Sequence, residues 1–189
     1  MTRVLGISGS LRRGSYNGAL LRAATQLMPQ GATLDIASIR GIPLYDYDVE
    51  VRGIPPAVAQ LKEAVVAADG VLLVTPEYNN SLPGVFKNAI DWLSRPAADI
   101  KRVFAGRPFA VIGATPGPFG TVQSQTAWLP VLRTLGAHAW FGGRLALARA
   151  GNLFDEEGNL NDAAIAEQLR QFLAGYVAFV RRAAPVPAA

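Results

Sequence analysis

The run TPEYNNSLPGVFKNAIDWLSR, residues 75–95, carries a strand end, a polar loop and an amphipathic helix in direct succession. Ahead of it, GVLLVT (70–75) is a short apolar stretch, the pattern of a parallel strand covered on both faces. Pro76 then stops sheet pairing and fixes the local backbone. An acid, a tyrosine and two asparagines follow, where a plain connection needs none of them. Leu82-Pro83-Gly84 leads into a helix whose Phe86, Ala89, Ile90 and Leu93 form one apolar stripe. Val85 and Trp92 widen that face beyond what one sheet contact requires, although taken singly Glu77 reads as a solvated or helix-capping carboxylate, Tyr78 as a rim aromatic and Trp92 as core.

The same alternation recurs along the chain. RVLGIS (3–8), TLDIAS (33–38), PFAVIGAT (108–115) and AWFGGRLAL (139–147) read as further strands. Helical patterns lie between them at 17–28, 56–68, 84–95 and 121–135, and a last one at 162–182 starts at Asn161 or Asp162 as cap. Strands alternating with helices predict an α/β fold, a three-layer sandwich around a five-stranded parallel sheet. One domain is expected over residues 1–183, with a tail at 184–189.

Composition narrows the chemistry. The chain has no cysteine and one histidine, so redox work would fall to a bound cofactor, and thiolate metal sites and thiol nucleophiles are excluded. The net charge is only +4, and its basic residues are scattered without a stripe of aromatics, which argues against nucleic acid as a partner. No apolar run is long enough for a membrane span, and MTRVLGIS enters a strand at once, so a cytoplasmic protein is expected.

In a doubly wound sheet, ligands bind beyond the carboxyl ends of the strands at the switch point. Attention therefore falls on GSLRRGSYN, PEYNNSLPG and PGPFGT, the loops after strands 1, 3 and 4. The first presents hydroxyls and an arginine beside a helix start, a site for a phosphate, but lacks the P-loop lysine and the G-x-G-x-x-G fingerprint. Ser10, Arg12, Ser15 and Asn17 can surround a terminal phosphate monoester; alternatively, Ser15 or Asn17 caps the helix and Arg12 is solvated.

GSLRRGSYN followed by PEYNNSLPGVFKNAIDWLSR resembles the NADPH-dependent FMN reductase family, which includes bacterial quinone and chromate reductases. The resemblance covers nearly the whole chain. It implies a flavodoxin-like fold with strand order 2-1-3-4-5, FMN as cofactor, NADPH or NADH as co-substrate, and a homodimer or homotetramer with the flavin near an interface. Such an assembly would account for the broad apolar face through Val85 and Trp92. By the same resemblance, Ser10, Arg12, Ser15 and Asn17 hold the FMN phosphate, and Pro76, Glu77, Tyr78 and Asn79 border the ring system through their backbone groups. Thr115, Gly117 and Gly120 close the other side. Where several quinone-reductase relatives carry a Tyr-His-Leu-Arg-like run, Gln125 is here followed by Thr126-Ala127-Trp128-Leu129, so a tetramer contact built on that tyrosine and arginine is not implied.

The expected reaction passes hydride from NAD(P)H through FMN to a quinone, flavin or similar acceptor, with no catalytic side chain and no metal. His138, at the start of strand 5, falls at the end of the sheet away from these loops. Two other readings compete. A flavodoxin-type single-electron carrier would be acidic, whereas this chain is basic. A hydrolase or transferase would need a base or nucleophile elbow, and no G-x-S-x-G occurs.

Overall fold

A computed structural model describes residues 1–183; the expected tail at 184–189 lies outside them. The strands are β1 (Thr2–Ser8), β2 (Ala32–Ala37), β3 (Gly70–Val74), β4 (Pro108–Ala114), β5 (His138–Ala139) and β6 (Ala146–Leu147). The helices are α1 (Tyr16–Gln26), α2 (Tyr47–Glu50), α3 (Pro56–Val66), α4 (Gly84–Leu93), α5 (Ile100–Phe104), α6 (Val122–Thr134) and α7 (Ala163–Arg182). All strand pairings are parallel, in the order β2-β1-β3-β4-β5, with β6 also on β4. Helices α2 and α5 are too short for periodicity to reveal.

The sheet has six strands, which corrects the expectation of five. The run at 139–147 splits: β5 pairs with Pro108 and Phe109, and β6 with Gly113 and Ala114. Between them the Trp140 ring folds over two glycines, so closely that a Cβ on Gly142 would lie 2.6 Å from Trp140 Nε1. Trp140 packs instead against Phe172 and Tyr176 of α7, at centroid distances of 4.8 and 5.7 Å.

Burial on both faces of β3 organises the core. Leu72 and Val74 join the residues of α1 and α7 on one face, while Val71 and Leu73 join those of α3, α4, α5 and α6 on the other. Tyr176 is fully buried, with its hydroxyl 2.8 Å from Val71 O and 2.9 Å from Pro108 O. That burial pushes the phenol well above its ordinary range, so it remains a neutral donor. His138 sits at the foot of the sheet, opposite Pro108, with its ring 4.6 Å from that of Phe179.

The broad apolar face of α4 divides into a covered part at Trp92 and an exposed part at Val85. Trp92 is fully buried, because residues 43–50 fold across it. Trp92 Nε1 and Asn88 Nδ2 both donate to Pro43 O, at 2.9 and 2.8 Å, and the Tyr45 ring meets Trp92 edge-on at 5.0 Å. Glu50 Oε2 accepts from Arg95 Nε at 2.9 Å and Tyr45 Oη at 2.8 Å, closing the cover. The Arg95 bond, above all, holds the Glu50 carboxyl below its ordinary range. The brace therefore stabilises the fold at neutral pH and is lost as pH falls through that depressed value. Exposure passes outward to Leu44, Tyr47, Val51 and Val85, at 80, 59, 62 and 37 %.

Candidate cofactor site

The loops that follow β1, β3 and β4 surround a cavity of about 510 Å³ at the carboxyl ends of those strands. Its size falls within the roughly 300–1,000 Å³ usual for small-ligand sites. Ser10, Arg12, Ser15 and Asn17 line it from the first loop, Pro76, Glu77 and Tyr78 from the second, and Thr115 from the third. Asn79, Gly117 and Gly120 do not line it, whereas Tyr16, Ala114 and Pro116 do.

The first loop ends at a capped helix. Ser15 is the N-cap of α1, its Oγ accepting from Asn17 N at 3.2 Å and Gly18 N at 3.3 Å. As a hydroxyl it keeps its proton for a ligand. The backbone N–H groups of Leu11, Arg13, Gly14, Ser15 and Tyr16 have no acceptor among the described residues. Arg12 is exposed and lies over the Tyr16 ring, with its guanidinium carbon 5.3 Å from the centroid. Arg40 Nη2 donates to Leu11 O at 2.6 Å, so a second guanidinium stands beside this loop.

Asn17 has a structural task that its position in the sequence conceals. Its Nδ2 donates to Ala114 O at 2.8 Å, and its Oδ1 accepts from Ala114 N at 2.9 Å. The side chain is buried, so the amide clamps the start of α1 to the end of β4 and satisfies both backbone groups there. The cavity wall between the first and third loops is therefore fixed by one side chain.

The two asparagines raised by the sequence form a hairpin tip. Tyr78 and Ser81 exchange two backbone bonds of 3.0 Å, and Asn79 and Asn80 between them have φ of 49° and 60°. A two-residue turn with both φ positive is the type I′ class, in which Asn and Gly lead. Asn79 sits in that turn and outside the cavity lining, while Tyr78, 46 % exposed, stands at its rim. Replacing Asn80 by Gly is expected to leave thermal stability unchanged or slightly raised, and replacing it by Val to cost about 1–2 kcal/mol in urea denaturation.

Glu77 does not present a free carboxylate. Its Oε2 accepts from Ser124 N at 2.9 Å, in the first turn of α6, where the helix dipole favours a negative charge. In the third loop, Thr115 Oγ1 accepts from Gly117 N at 3.3 Å, and Gly117 O accepts from Arg149 N at 2.9 Å. Gly120 has φ of 72°, and a Cβ there would meet Ala146 O at 2.5 Å. Its role is close approach to β6.

The donor set fits a phosphate monoester attached to a flat ring system. Unpaired N–H groups, two serine hydroxyls and Arg12 converge at one end, and no lining carboxylate opposes them except Glu77, which is tied to α6. Proline and tyrosine surfaces at the other end suit an aromatic ligand.

Comparison with known proteins agrees with this geometry. The profile of the NADPH-dependent FMN reductase family matches residues 2–152. A NAD(P)H-dependent FMN reductase of Pseudomonas aeruginosa is 46 % identical over 180 residues, 95 % of this chain and 96 % of that one. A 2-hydroxy-1,4-benzoquinone reductase of a Burkholderia species is 36 % identical over 175 residues, covering 93 % and 94 % of the two chains. Among solved structures, the flavoenzyme NAD(P)H:(acceptor) oxidoreductase FerB from Paracoccus denitrificans superposes with a TM-score of 0.87 at 30 % identity, over 97 % of this chain and 99 % of that one.

Proposed function

Because the chain belongs to the NADPH-dependent FMN reductase family, we propose that it passes reducing equivalents from NAD(P)H to quinones by way of FMN held in the cavity above β1, β3 and β4. The observation that carries this reading is the row of acceptor-free N–H groups beside Ser10, Ser15 and Arg12, in a chain that has no cysteine to do redox work itself. When bound, FMN supplies the hydride chemistry, accepting two electrons from NAD(P)H and yielding them to the acceptor.

The chain's own share is binding and orientation. Ser10, Arg12, Ser15 and the first-loop N–H groups hold the phosphate, with Asn17 fixing the wall beside them. Pro76, Glu77 and Tyr78 border the rings on one side and Thr115 on the other, with Asn79 shaping the turn that carries Tyr78 and with Gly117 and Gly120 shaping the third loop. Holding the reactants in one place this way replaces a general acid or nucleophile. Arg13 in the first loop and Arg40 beside it are cations that would favour the extra phosphate of NADPH.

Residues 1–183 act as one FMN-binding domain, in the cytoplasm where NAD(P)H is supplied. No helix among the described residues is long and apolar enough to cross a membrane. Leu44, Tyr47 and Val51, on and next to the segment that overlies α4, form with Val85 of α4 the contact of a homodimer. The test is initial-rate kinetics with NADPH and benzoquinone both varied in the presence of FMN. Parallel double-reciprocal lines are expected; intersecting lines would contradict a shared site used in turn.

A further inference from the structure

Beneath the second loop lies a buried polar cluster that the binding scheme above does not use. Thr75, Ser124 and Trp128 are all fully buried at the junction of β3 and α6. Thr75 Oγ1 lies 2.9 Å from Pro76 O and 2.8 Å from Ser124 Oγ, and Trp128 Nε1 donates to it at 3.1 Å. Hydrogen-bond accounting assigns every proton. A carbonyl can only accept, so Thr75 donates its single proton to Pro76 O, and Ser124 must then donate to Thr75. Thr75 thus accepts from Ser124 and Trp128 and donates to Pro76, with no capacity left over.

The consequence is directional. In a planar trans peptide the C=O and the following N–H point opposite ways. With Pro76 O drawn down to Thr75, the Glu77 N–H points up, to the side where Pro76, Glu77 and Tyr78 line the cavity. That N–H has no acceptor among the described residues. Ser124 secures the same unit a second time, since its own N–H holds the Glu77 carboxylate at 2.9 Å. A peptide free to rotate could offer either its N–H or its carbonyl to a ligand. Here the carbonyl is engaged from below and the carboxylate from the side.

We propose that Thr75 is a positioning residue, oriented by Ser124 and Trp128, which locks the Pro76–Glu77 peptide so that a single N–H donor faces the flavin ring. The proposal rests on the functional reading above. Its chemistry is that of a fixed donor: a lone N–H suits an acceptor atom on the ring edge and costs no reorganisation on binding.

The test is FMN binding, followed by fluorescence and by the visible absorption of the bound flavin, in Thr75→Val and Thr75→Ser. Thr75→Val removes the proton at nearly constant volume and is expected to weaken FMN binding by about tenfold, with displaced absorption bands. Thr75→Ser, which keeps the hydroxyl, is expected to restore both to near the unaltered chain. Tyr176→Phe serves as the control, losing a buried hydroxyl at the far end of the sheet: it should lower the melting temperature yet leave FMN affinity unchanged. Should Thr75→Val fail to fold, Ser124→Ala, which leaves Thr75 in place, is expected to weaken binding in the same direction by a smaller factor. Full affinity and an unchanged spectrum in Thr75→Val, or in Ser124→Ala if it alone folds, beside an unaltered chain that binds FMN, would overturn the positioning role alone. Failure of the unaltered chain to bind FMN would overturn the functional reading and this inference with it.

Discussion

Replacing Arg12 with alanine is expected to weaken FMN binding by roughly ten- to a hundredfold while leaving the melting temperature of the FMN-free chain nearly unchanged. The two halves of that expectation come from different observations. Arg12 is exposed, and its guanidinium lies over Tyr16 without a hydrogen bond or ion pair among the described residues, so folding loses little without it. It is also the lining guanidinium beside a loop of unpaired N–H groups, so a dianionic phosphate loses a charged partner. Arg12→Lys is expected to recover part of the affinity, since an ammonium supplies the charge but not the planar fork. Isothermal titration at two salt concentrations checks this, with the unaltered chain showing the steeper loss on adding salt. Equal affinity in Arg12→Ala and the unaltered chain would place the phosphate elsewhere.

Asn17→Leu is expected to show the opposite pattern, a large loss of stability even without FMN. The substitution leaves Ala114 N and O unpaired in a buried setting, costing about 3 kcal/mol. For a chain of this length that corresponds to a fall of about 6–12 °C in the midpoint of thermal unfolding. Circular dichroism of the FMN-free chain reads it directly. A stable Asn17→Leu variant with impaired FMN binding would instead make the amide a direct phosphate ligand.

These two residues mark what the sequence can and cannot express. Both are polar and sit in one loop, and their identities alone suit both to a phosphate. Yet the partner that occupies Asn17 lies 97 positions away, and nothing local in the chain names it. The central strands were legible because burial on both faces writes itself as an unbroken apolar run, as in GVLLVT. The end of the sheet was not, since AWFGGRLAL has the composition of a strand but the Trp140 ring needs the space above Gly142 and Gly143. That Trp92 is core suits its residue type, but the cover over it is not legible, because residues 43–46 lie outside any helix or strand and α2 is too short to show a period. The paired asparagines are read above as part of the ring-binding loop, whereas adjacent residues that tolerate positive φ are also the mark of a two-residue hairpin, which is what they form. Thr75 and Ser124 gave no signal, being ordinary residues whose roles exist only where β3 and α6 meet.

The central claim is that the cavity above β1, β3 and β4 holds FMN for exchange of electrons between NAD(P)H and a quinone. The most direct measurement is the visible absorbance of the chain with stoichiometric FMN under anaerobic conditions, recorded after NADPH and again after benzoquinone. The account predicts a bound-flavin spectrum that bleaches with NADPH and returns with the quinone, and a chain with no perturbation of the FMN spectrum, or with bound FMN that NADPH leaves oxidised, would contradict it.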